Sequence, residues 1–451
     1  MSTCDIRMAA LLSFRKIGPK GGWRSTVKYA FPYCFHGQMR ITIPYGKDEG
    51  QILYIPDENF AGTVYPKDVP TGDERQEIRR ALEEPVKGPT LEEFLEGGED
   101  IVFIVNDGTR PTPTCKVLDA LAERMDLTKA HYLVATGAHR APTEEEYRFI
   151  FGKQYDSLKG LIHSHDARKD RCEFLGTSKN GTEMHVNEMA VNADRLVIIT
   201  SVEPHYFAGY TGGRKSFLPG VASYKTIEQN HRLAMRQEAQ ALVLDGNPVH
   251  EDMMDALSVV KDKPIFAIQI VLDRHQGVYR VEAGDLHASF DAAVRHANEV
   301  FSVKIKEKAD VVVTVAPYPM DVDLYQSQKA LDNGKWALKE GGTIIMVSKC
   351  REGIGHETFL QQLSQSPDPR VVLENLAKEY RLGYHKAAKM AEIAVWARMF
   401  AVTGLDPKLL RDANMTPFAT VQEAVDAALK DDPSAKVLIS MDGSITIPRV
   451  D

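Results

Sequence analysis

The chain has 451 residues, 26% of them charged, with a formal net charge of −8. This length predicts two or three domains with sizeable apolar cores. The acidic balance disfavours a nucleic-acid-binding face, which needs clustered basic residues, and no apolar run approaches the roughly 20 residues that span a bilayer. The five cysteines form no Cys-x-x-Cys pair. Neither a disulfide framework nor a thiolate zinc site is therefore predicted, and a reducing, cytoplasmic compartment is expected.

Buried strands alternate with helices along the first two thirds of the chain. Residues 1–37 are expected to be an N-terminal extension without a catalytic role. Four short apolar runs are typical of strands covered on both faces: Ile101–Val105, Tyr132–Ala135, Leu196–Thr200 and Ile265–Leu272. Helices are expected at about Lys116–Arg124 and after Thr143, a helix N-cap residue followed by acidic residues. Residues 38–302 are therefore predicted to be one α/β domain with a mainly parallel sheet.

A second α/β domain is predicted over residues 303–440. Strands at Val311–Ala316 and Thr343–Val347 flank a helix at Leu324–Lys339, which makes a βαβ unit. Further helices are expected at about Pro369–Glu379 and His385–Phe400. Asp442-Gly443 predicts a hairpin between Lys436–Ser440 and Ser444–Ile447. Because Ile445–Pro448 repeats the pattern of Ile41–Pro44, residues 441–451 are expected to return to the first domain.

Polar residues follow two of the predicted strands in the first domain. Asn106-Asp107-Gly108-Thr109-Arg110-Pro111 comes after the first strand, and His139 comes after the second. Ligands of parallel sheets bind beyond the carboxyl ends of strands, so these side chains are expected at one crevice. Arg110 suits a carboxylate, which it can bind through two parallel hydrogen bonds. An Asx-turn with a solvated arginine explains the first segment equally well.

A glycine-rich segment, Glu203–Lys215, follows the third strand. It contains His205, Gly212, Gly213 and Lys215, and glycines allow close backbone approach to a ligand. The segment is neither a P-loop nor a Gly-x-Gly-x-x-Gly motif. His231 lies on a helix predicted to begin near Lys225. A flexible turn with a solvated lysine, and a structural histidine, are the alternatives.

These motifs together resemble the lactate racemase family. The resemblance is carried by Asp-x-Thr-Arg-Pro, Gly-x-His-Arg, His-Tyr-Phe-Ala-Gly-x-x-Gly-Gly-x-Lys and Asn-His, in this order. It continues into the second domain with Tyr-Gln-Ser-Gln-Lys-Ala-Leu-Asp-Asn at residues 325–333, and covers about residues 39–451. It implies two α/β domains with mainly parallel sheets and an active-site cleft between them.

The resemblance also implies a cofactor, the nickel-pincer nucleotide, which is a pyridinium mononucleotide whose sulfur-containing arms bind nickel. Site residues are implied as follows: Lys215 for covalent cofactor attachment, Gly212 and Gly213 for cofactor binding, His231 for nickel, His139 and His205 for acid/base catalysis, and Asp107, Arg110, Gln326 and Lys329 for the substrate. The implied partners are a small 2-hydroxy acid and the enzymes that mature the cofactor. Oligomeric state, including a homo-oligomer, is left open.

The chemistry of C2 inversion explains this set of residues. The Cα–H bond of a 2-hydroxy carboxylate is too weak an acid for direct removal of its proton by a histidine of pKa ~6.5. Removal as hydride avoids a carbanion, and a pyridinium ring accepts hydride. The product is a planar 2-keto acid, and inversion then needs a base on each side. Gln326 and Lys329 share one helix face, so the second domain would contribute substrate anchors to a closing cleft.

Two other classes of protein are weighed against this hypothesis. An NAD-dependent hydroxyacid dehydrogenase would use similar substrates, but the chain lacks the dinucleotide fingerprint. A non-catalytic small-molecule-binding relative would not need His139, His205 and Lys215 intact. The substrate stays open among lactate, malate, aromatic hydroxy acids and sugar acids. Gly108, where some family members carry a bulkier residue, implies more room beside the substrate.

Overall fold

The computed structural model describes residues 33–35, 37–258 and 263–450. Of the predicted N-terminal extension, all but residues 33–35 and 37 lies outside the described residues. Within these ranges no helix is both long and apolar enough to cross a membrane.

Strands and helices alternate as expected for an α/β protein. The strands are β1 (Tyr33–Phe35), β2 (Gln38–Pro44), β3 (Gly50–Pro56), β4 (Phe60–Val64), β5 (Ile101–Asn106), β6 (His131–Ala135), β7 (Ile162–Ser164), β8 (Cys172–Thr177), β9 (Glu183–Asn187), β10 (Arg195–Ser201), β11 (Pro204–His205), β12 (Gly209–Tyr210), β13 (Ile265–Leu272), β14 (Val278–Gly284), β15 (Ser302–Ile305), β16 (Ala309–Val315), β17 (Leu338–Val347), β18 (Arg398–Val402), β19 (Thr416–Phe418), β20 (Val437–Ser440) and β21 (Ile447–Val450). The helices are α1 (Glu74–Glu83), α2 (Leu91–Leu95), α3 (Thr114–Leu121), α4 (Glu144–Phe151), α5 (Tyr155–Leu158), α6 (Glu188–Asn192), α7 (Tyr224–Arg232), α8 (Pro248–Leu257), α9 (Leu286–Phe301), α10 (Leu324–Gly334), α11 (Glu357–Leu363), α12 (Pro369–Lys378), α13 (Tyr384–Trp396), α14 (Pro407–Asp412) and α15 (Val421–Asp431).

The first sheet has the strand order β14-β13-β10-β5-β6-β7. Its strands run parallel except for β14, which is antiparallel to β13. Along β5, Phe103 and Val105 pack into one apolar cluster, whereas Val102 and Ile104 pack into another. Both faces of the strand are thus covered, which explains its continuous apolar run. The predicted mainly parallel α/β sheet is confirmed.

The second sheet has the order β19-β18-β17-β16-β20-β4, with every neighbouring pair parallel. Its edge strand β4 comes from the beginning of the chain. The antiparallel pair β2 and β3 packs Ile41 and Leu53 into the same apolar cluster as Val313 of β16. The side-chain amide of Asn59 donates to the backbone oxygens of residues 433 and 435, at 2.9 Å each. Residues 38–64, which were predicted to lie in the first domain, thus pack with the second sheet in the structure.

The predicted hairpin around Asp442-Gly443 is wrong. The N–H of Gly443 donates to the backbone oxygen of Val315 at 2.7 Å, and the Asn333 amide donates to the backbone oxygens of Gly443 and Ser444. These bonds hold the turn against β16 and α10, so that β20 stays in the parallel sheet. β21 pairs in parallel with β15, at the junction of the two units, rather than with β2.

Two predicted helices extend too far. The helix predicted at Leu324–Lys339 ends at Gly334, and a 3-10 turn, Lys335–Ala337, leads into β17. The helix predicted at His385–Phe400 ends at Trp396, and β18 begins at Arg398. Pairing with a neighbouring strand outweighs a local helical pattern here. In contrast, Thr143 caps α4 as predicted: its side chain accepts the N–H of Glu146, and its own backbone N–H donates to the Glu146 carboxylate.

Candidate active site

Three adjacent strands of the first sheet end at one edge. β5 lies between β6 and β10, and all three are parallel. Asp107 and Arg110 follow β5, His139 follows β6, and the hairpin β11–β12 that carries His205 follows β10. The structure thus brings these predicted residues to the same crevice, as the topology of parallel sheets requires.

His139 is held by a buried carboxylate. Its Nδ1 donates to Oδ2 of Asp107 at 2.8 Å, and Thr109 donates to Oδ1 at 2.7 Å. Burial raises the pKa of Asp107, but the hydrogen bonds from His139 and Thr109 outweigh it and leave the pKa below its usual value. A charged Asp107 keeps the proton of His139 on Nδ1, so Nε2 presents a lone pair. Asp107 therefore contacts His139 here, and its predicted contact with substrate stays a prediction.

His205 lies in the tight hairpin of β11 and β12. Its Nδ1 accepts the backbone N–H of Ala208 at 3.3 Å, so in the neutral ring Nε2 carries the proton. Phe207 packs edge-on, 4.5 Å between ring centroids. Burial, and then the charges of Lys215 and Arg110, hold the pKa of His205 well below its usual range. The ring is consequently neutral.

Lys215 lies in a single turn of 3-10 helix, Gly213–Ser216. Burial, followed by the charges of Arg110 and Arg214, holds the pKa of Lys215 well below its usual range. Its Nζ lies 5.5 Å from the ring centroid of Phe207 and has no carboxylate within 4.0 Å among the described residues. A neutral amine in this position is a competent nucleophile for covalent attachment.

The glycines near the site have packing roles. Gly212 has φ +87°, and an added Cβ would lie 2.5 Å from Val202. The N–H of Gly213 donates a hydrogen bond to the side-chain oxygen of Gln269 at 3.1 Å. Both therefore turn the chain tightly before Lys215, and their direct contact with a cofactor stays a prediction. At Gly108 an added Cβ would meet Glu146 at 2.8 Å, so this glycine faces α4 and leaves no additional room in the cleft.

Arg214 is a fully buried side chain directly before Lys215. Its guanidinium donates to the backbone oxygens of Ala208, Tyr210 and Gly212, at 2.7, 3.1 and 3.3 Å. It also stacks on the ring of Phe290, 4.5 Å from the centroid. No carboxylate pairs with it in the described part of the chain. One side chain thus fixes the loop that carries both His205 and Lys215.

His231 is fixed on α7 in the same way as His139. Its Nδ1 faces Oδ1 of Asn230 at 3.2 Å, and the Asn230 amide donates to Oδ2 of buried Asp252 at 2.8 Å. Because Nδ1 donates, Nε2 presents a lone pair, the form that binds a metal. Burial, and then His385, hold the pKa of His231 well below its usual range.

The second unit contributes α10, which carries Gln326 and Lys329. Asp323 caps this helix by accepting the N–H of Gln326 at 2.6 Å. Burial, with repulsion from Arg110, lowers the pKa of Lys329 to about 8. Arg110 belongs to the first unit, where it pairs with Glu203 at 3.3 Å. The charges of Arg110 and Lys329 both act on His205, so anchors from the two units face one cleft.

Sequence reasoning missed two residues of α13. Both ring nitrogens of His385 form hydrogen bonds, Nε2 with the hydroxyl of Tyr206 at 3.1 Å and Nδ1 with the hydroxyl of Tyr380 at 2.9 Å. Lys386 is buried, and its Nζ donates to the backbone oxygen of Tyr325 at 2.6 Å. A usable signal exists in the sequence: lysines 386 and 389 lie three apart on a helix whose other residues are mostly apolar, which is unusual unless they have a partner.

The fold and the cleft define an α/β enzyme in which neutral histidines and an unpaired lysine amine converge between two units. Two family models match the chain: the lactate racemase N-terminal domain over residues 45–242 and the lactate racemase C-terminal domain over residues 304–447. The chain is 32% identical over 407 residues to lactate racemase from Thermoanaerobacterium thermosaccharolyticum, covering 86% of this chain and 94% of that protein. The chain therefore belongs to the lactate racemase family, a family of isomerases.

Other comparisons agree. Lactate racemase from Lactiplantibacillus plantarum is 32% identical over 420 residues, covering 90% of this chain and 98% of that protein. The structure of the lactate racemase apoprotein from T. thermosaccharolyticum has a TM-score of 0.84 at 31% identity, covering 91% of this chain and 100% of that chain. A crystal structure of a Thermotoga maritima protein, 16% identical with a TM-score of 0.63 over 85% of this chain and 100% of that one, shares the fold alone.

Replacing Arg214 with lysine should destabilise the loop that carries His205 and Lys215. A lysine ammonium cannot reproduce the planar set of N–H donors of the guanidinium. Each buried carbonyl left without a donor costs roughly 1–3 kcal/mol. We expect Arg214→Lys to lower the free energy of unfolding by about 2 kcal/mol or more, measured by urea denaturation. Arg232→Lys, an exposed position on α7, is the matched control. Equal midpoints for the two variants would contradict this role of Arg214.

Proposed function

We propose that the chain inverts the C2 centre of a 2-hydroxy acid by reversible hydride transfer through a 2-keto acid, using a nickel-pincer nucleotide attached to Lys215. The observation that carries the proposal is the common anchoring of three histidines. His139, His205 and His231 each use Nδ1 for a partner in the first unit and leave Nε2 without a hydrogen-bond partner among the described residues. The curated relatives, both named lactate racemase, support the reaction class.

The residues present fit this cofactor. In the described ranges no group of three or more His, Cys, Asp or Glu side chains could hold a metal ion. A single free Nε2, that of His231, suits a metal whose other donors come from the cofactor itself. Lys215, a neutral amine, suits covalent attachment. Loading by maturation enzymes, in the cytoplasm, is part of the proposal.

The bound nucleotide would supply a hydride acceptor for C2. The chain's own residues handle the substrate's charge and its hydroxyl proton. Arg110 and Lys329 hold the carboxylate from opposite sides of the cleft. His139 accepts the hydroxyl proton at Nε2, and the charge of Asp107 stabilises the imidazolium that forms. His205, with its proton on Nε2, donates a hydrogen bond to the same oxygen. The opposite enantiomer needs the two rings in exchanged roles.

The attachment of the cofactor can be tested by intact-mass spectrometry. Protein produced with the maturation enzymes should carry a nucleotide-sized adduct with nickel, which Lys215→Ala should lose. His231→Ala should keep the adduct but retain less nickel. Protein produced without those enzymes should fold yet be inactive. An adduct that persists in Lys215→Ala would overturn the assignment of this lysine.

The roles of the two histidines can be separated by kinetics. His139→Ala and His205→Ala should each lower turnover on the order of 10²–10⁴-fold, the effect of losing an acid/base group. In single turnovers, each variant should retain oxidation of one enantiomer, with opposite preferences. Deuterium at C2 of the substrate should stay largely with the product. Rapid exchange of C2 deuterium with water would instead indicate a carbanion and would exclude hydride transfer.

The lowered pKa of Lys329 predicts an alkaline limit for substrate binding. In the free enzyme this lysine is charged below about pH 8 and loses its proton above it. Because the neutral amine no longer attracts a carboxylate, kcat/KM should fall above about pH 8. Lys329→Arg should move this limit upward, since guanidinium stays charged. Lys335→Arg, on the next turn beyond α10, should keep the wild-type profile; an unchanged limit in Lys329→Arg would contradict the assignment.

A further inference from the structure

Lys386 is a buried lysine near the cleft that none of the family motifs includes. Its side chain begins on α13 and the residue is 5% exposed. The Nζ atom donates to the backbone oxygen of Tyr325 at 2.6 Å. That oxygen lies on α10 one helical turn before the backbone of Lys329. Lys386 therefore meets the helix that carries the predicted substrate anchors.

Two aromatic rings fix the position of the Lys386 ammonium. Nζ lies 3.8 Å from the ring centroid of Tyr325 and 5.7 Å from that of Tyr206. Tyr325 is the neighbour in sequence of Gln326, and Tyr206 is the neighbour of His205. The two rings belong to different units, so the Lys386 amine contacts both units. The charges of Lys329 and Arg110 act on Lys386, so the amine lies near the predicted substrate anchors.

The carboxylates whose charges act on Lys386 are Asp323 and Asp332. Asp332 pairs with Lys335, and Asp323 accepts the backbone N–H of Gln326 at the start of α10. In the described part of the chain, neither Lys329 nor Lys386 has a carboxylate within 4.0 Å. Only one of the three N–H donors of Lys386 has a partner there. Burial, and then the positive charge of Lys329, hold the pKa of Lys386 well below its usual range, so Lys386 becomes charged only when a ligand brings negative charge to it.

We infer that the substrate is a 2-hydroxy dicarboxylate, whose C1 carboxylate binds Arg110 and Lys329 and whose distal carboxylate binds Lys386. This inference rests on the proposed function and narrows its substrate class. A monocarboxylate would bring a negative charge to only one of the two lysines. A sugar acid would place hydroxyl groups beside Lys386 but would bring no second charge. A dicarboxylate of four or five carbons neutralises both.

The test compares malate with lactate on cofactor-loaded protein. Wild-type protein should have a higher kcat/KM for (S)-malate than for (S)-lactate. Lys386→Gln should lower the malate-to-lactate ratio of kcat/KM by roughly 10- to 100-fold, the size of a lost charge-assisted hydrogen bond. Lys386→Met, which suits an apolar setting, serves if the glutamine variant does not fold. Lys389→Gln is the matched control, because that buried lysine pairs with Glu392 at 3.3 Å and should leave the ratio unchanged.

Binding to protein produced without the maturation enzymes gives a readout that does not require turnover. Calorimetry should show tighter binding of malate than of lactate, and the difference should shrink in the Lys386 variants. A wild-type preference for lactate, or a ratio that is unchanged in those variants, overturns the inference. So does loss of the nucleotide adduct from Lys386→Gln, which would assign this lysine to the nucleotide phosphate. If neither acid is inverted, the proposed function fails, and calorimetry still decides whether Lys386 recognises a second carboxylate.

Discussion

A buried guanidinium without a carboxylate partner is the constraint on which the cleft depends. Arg214 gathers three backbone oxygens of the loop between β11 and the 3-10 turn that carries Lys215. Its hydrogen bonds are made to carbonyl dipoles and not to a full negative charge, so the positive charge stays uncompensated beside Lys215. The same residue therefore shapes the loop and helps keep the neighbouring amine neutral.

Low polarity in the cleft decides which side chains can act as nucleophile, base or ligand. Burial is the first cause of the lowered pKa of His205, Lys215 and His231 alike. Asp107 differs, because hydrogen bonds keep it charged although it is buried. The carboxylate of Asp107 gives His139 a support for positive charge that His205 lacks. The two histidines are consequently not equivalent before substrate binds.

Sequence reasoning succeeded where local pattern and sheet topology suffice. Apolar runs located the strands of the first sheet, and the rule for strand ends brought His139 and Arg110 to one edge. It failed where residues distant in the sequence determine the local structure. Nothing near Asp442-Gly443 indicates that Asn333 and Val315 hold that turn in a parallel sheet. Likewise, the spacing of the two lysines of α13 indicates that they are buried, but only the packing of α10 against α13 shows that Lys386 donates to the backbone oxygen of Tyr325.

The position of β4 has a consequence for how the cleft can open. The chain leaves the second sheet after β4 to build the first, and returns after β15, so residues 65–73 and 306–308 both cross between the units. Two units joined at two points rotate most easily relative to each other about the line through those points. Nor can the halves be separated by a single cut: a fragment beginning at residue 303 would lack an edge strand of its own sheet.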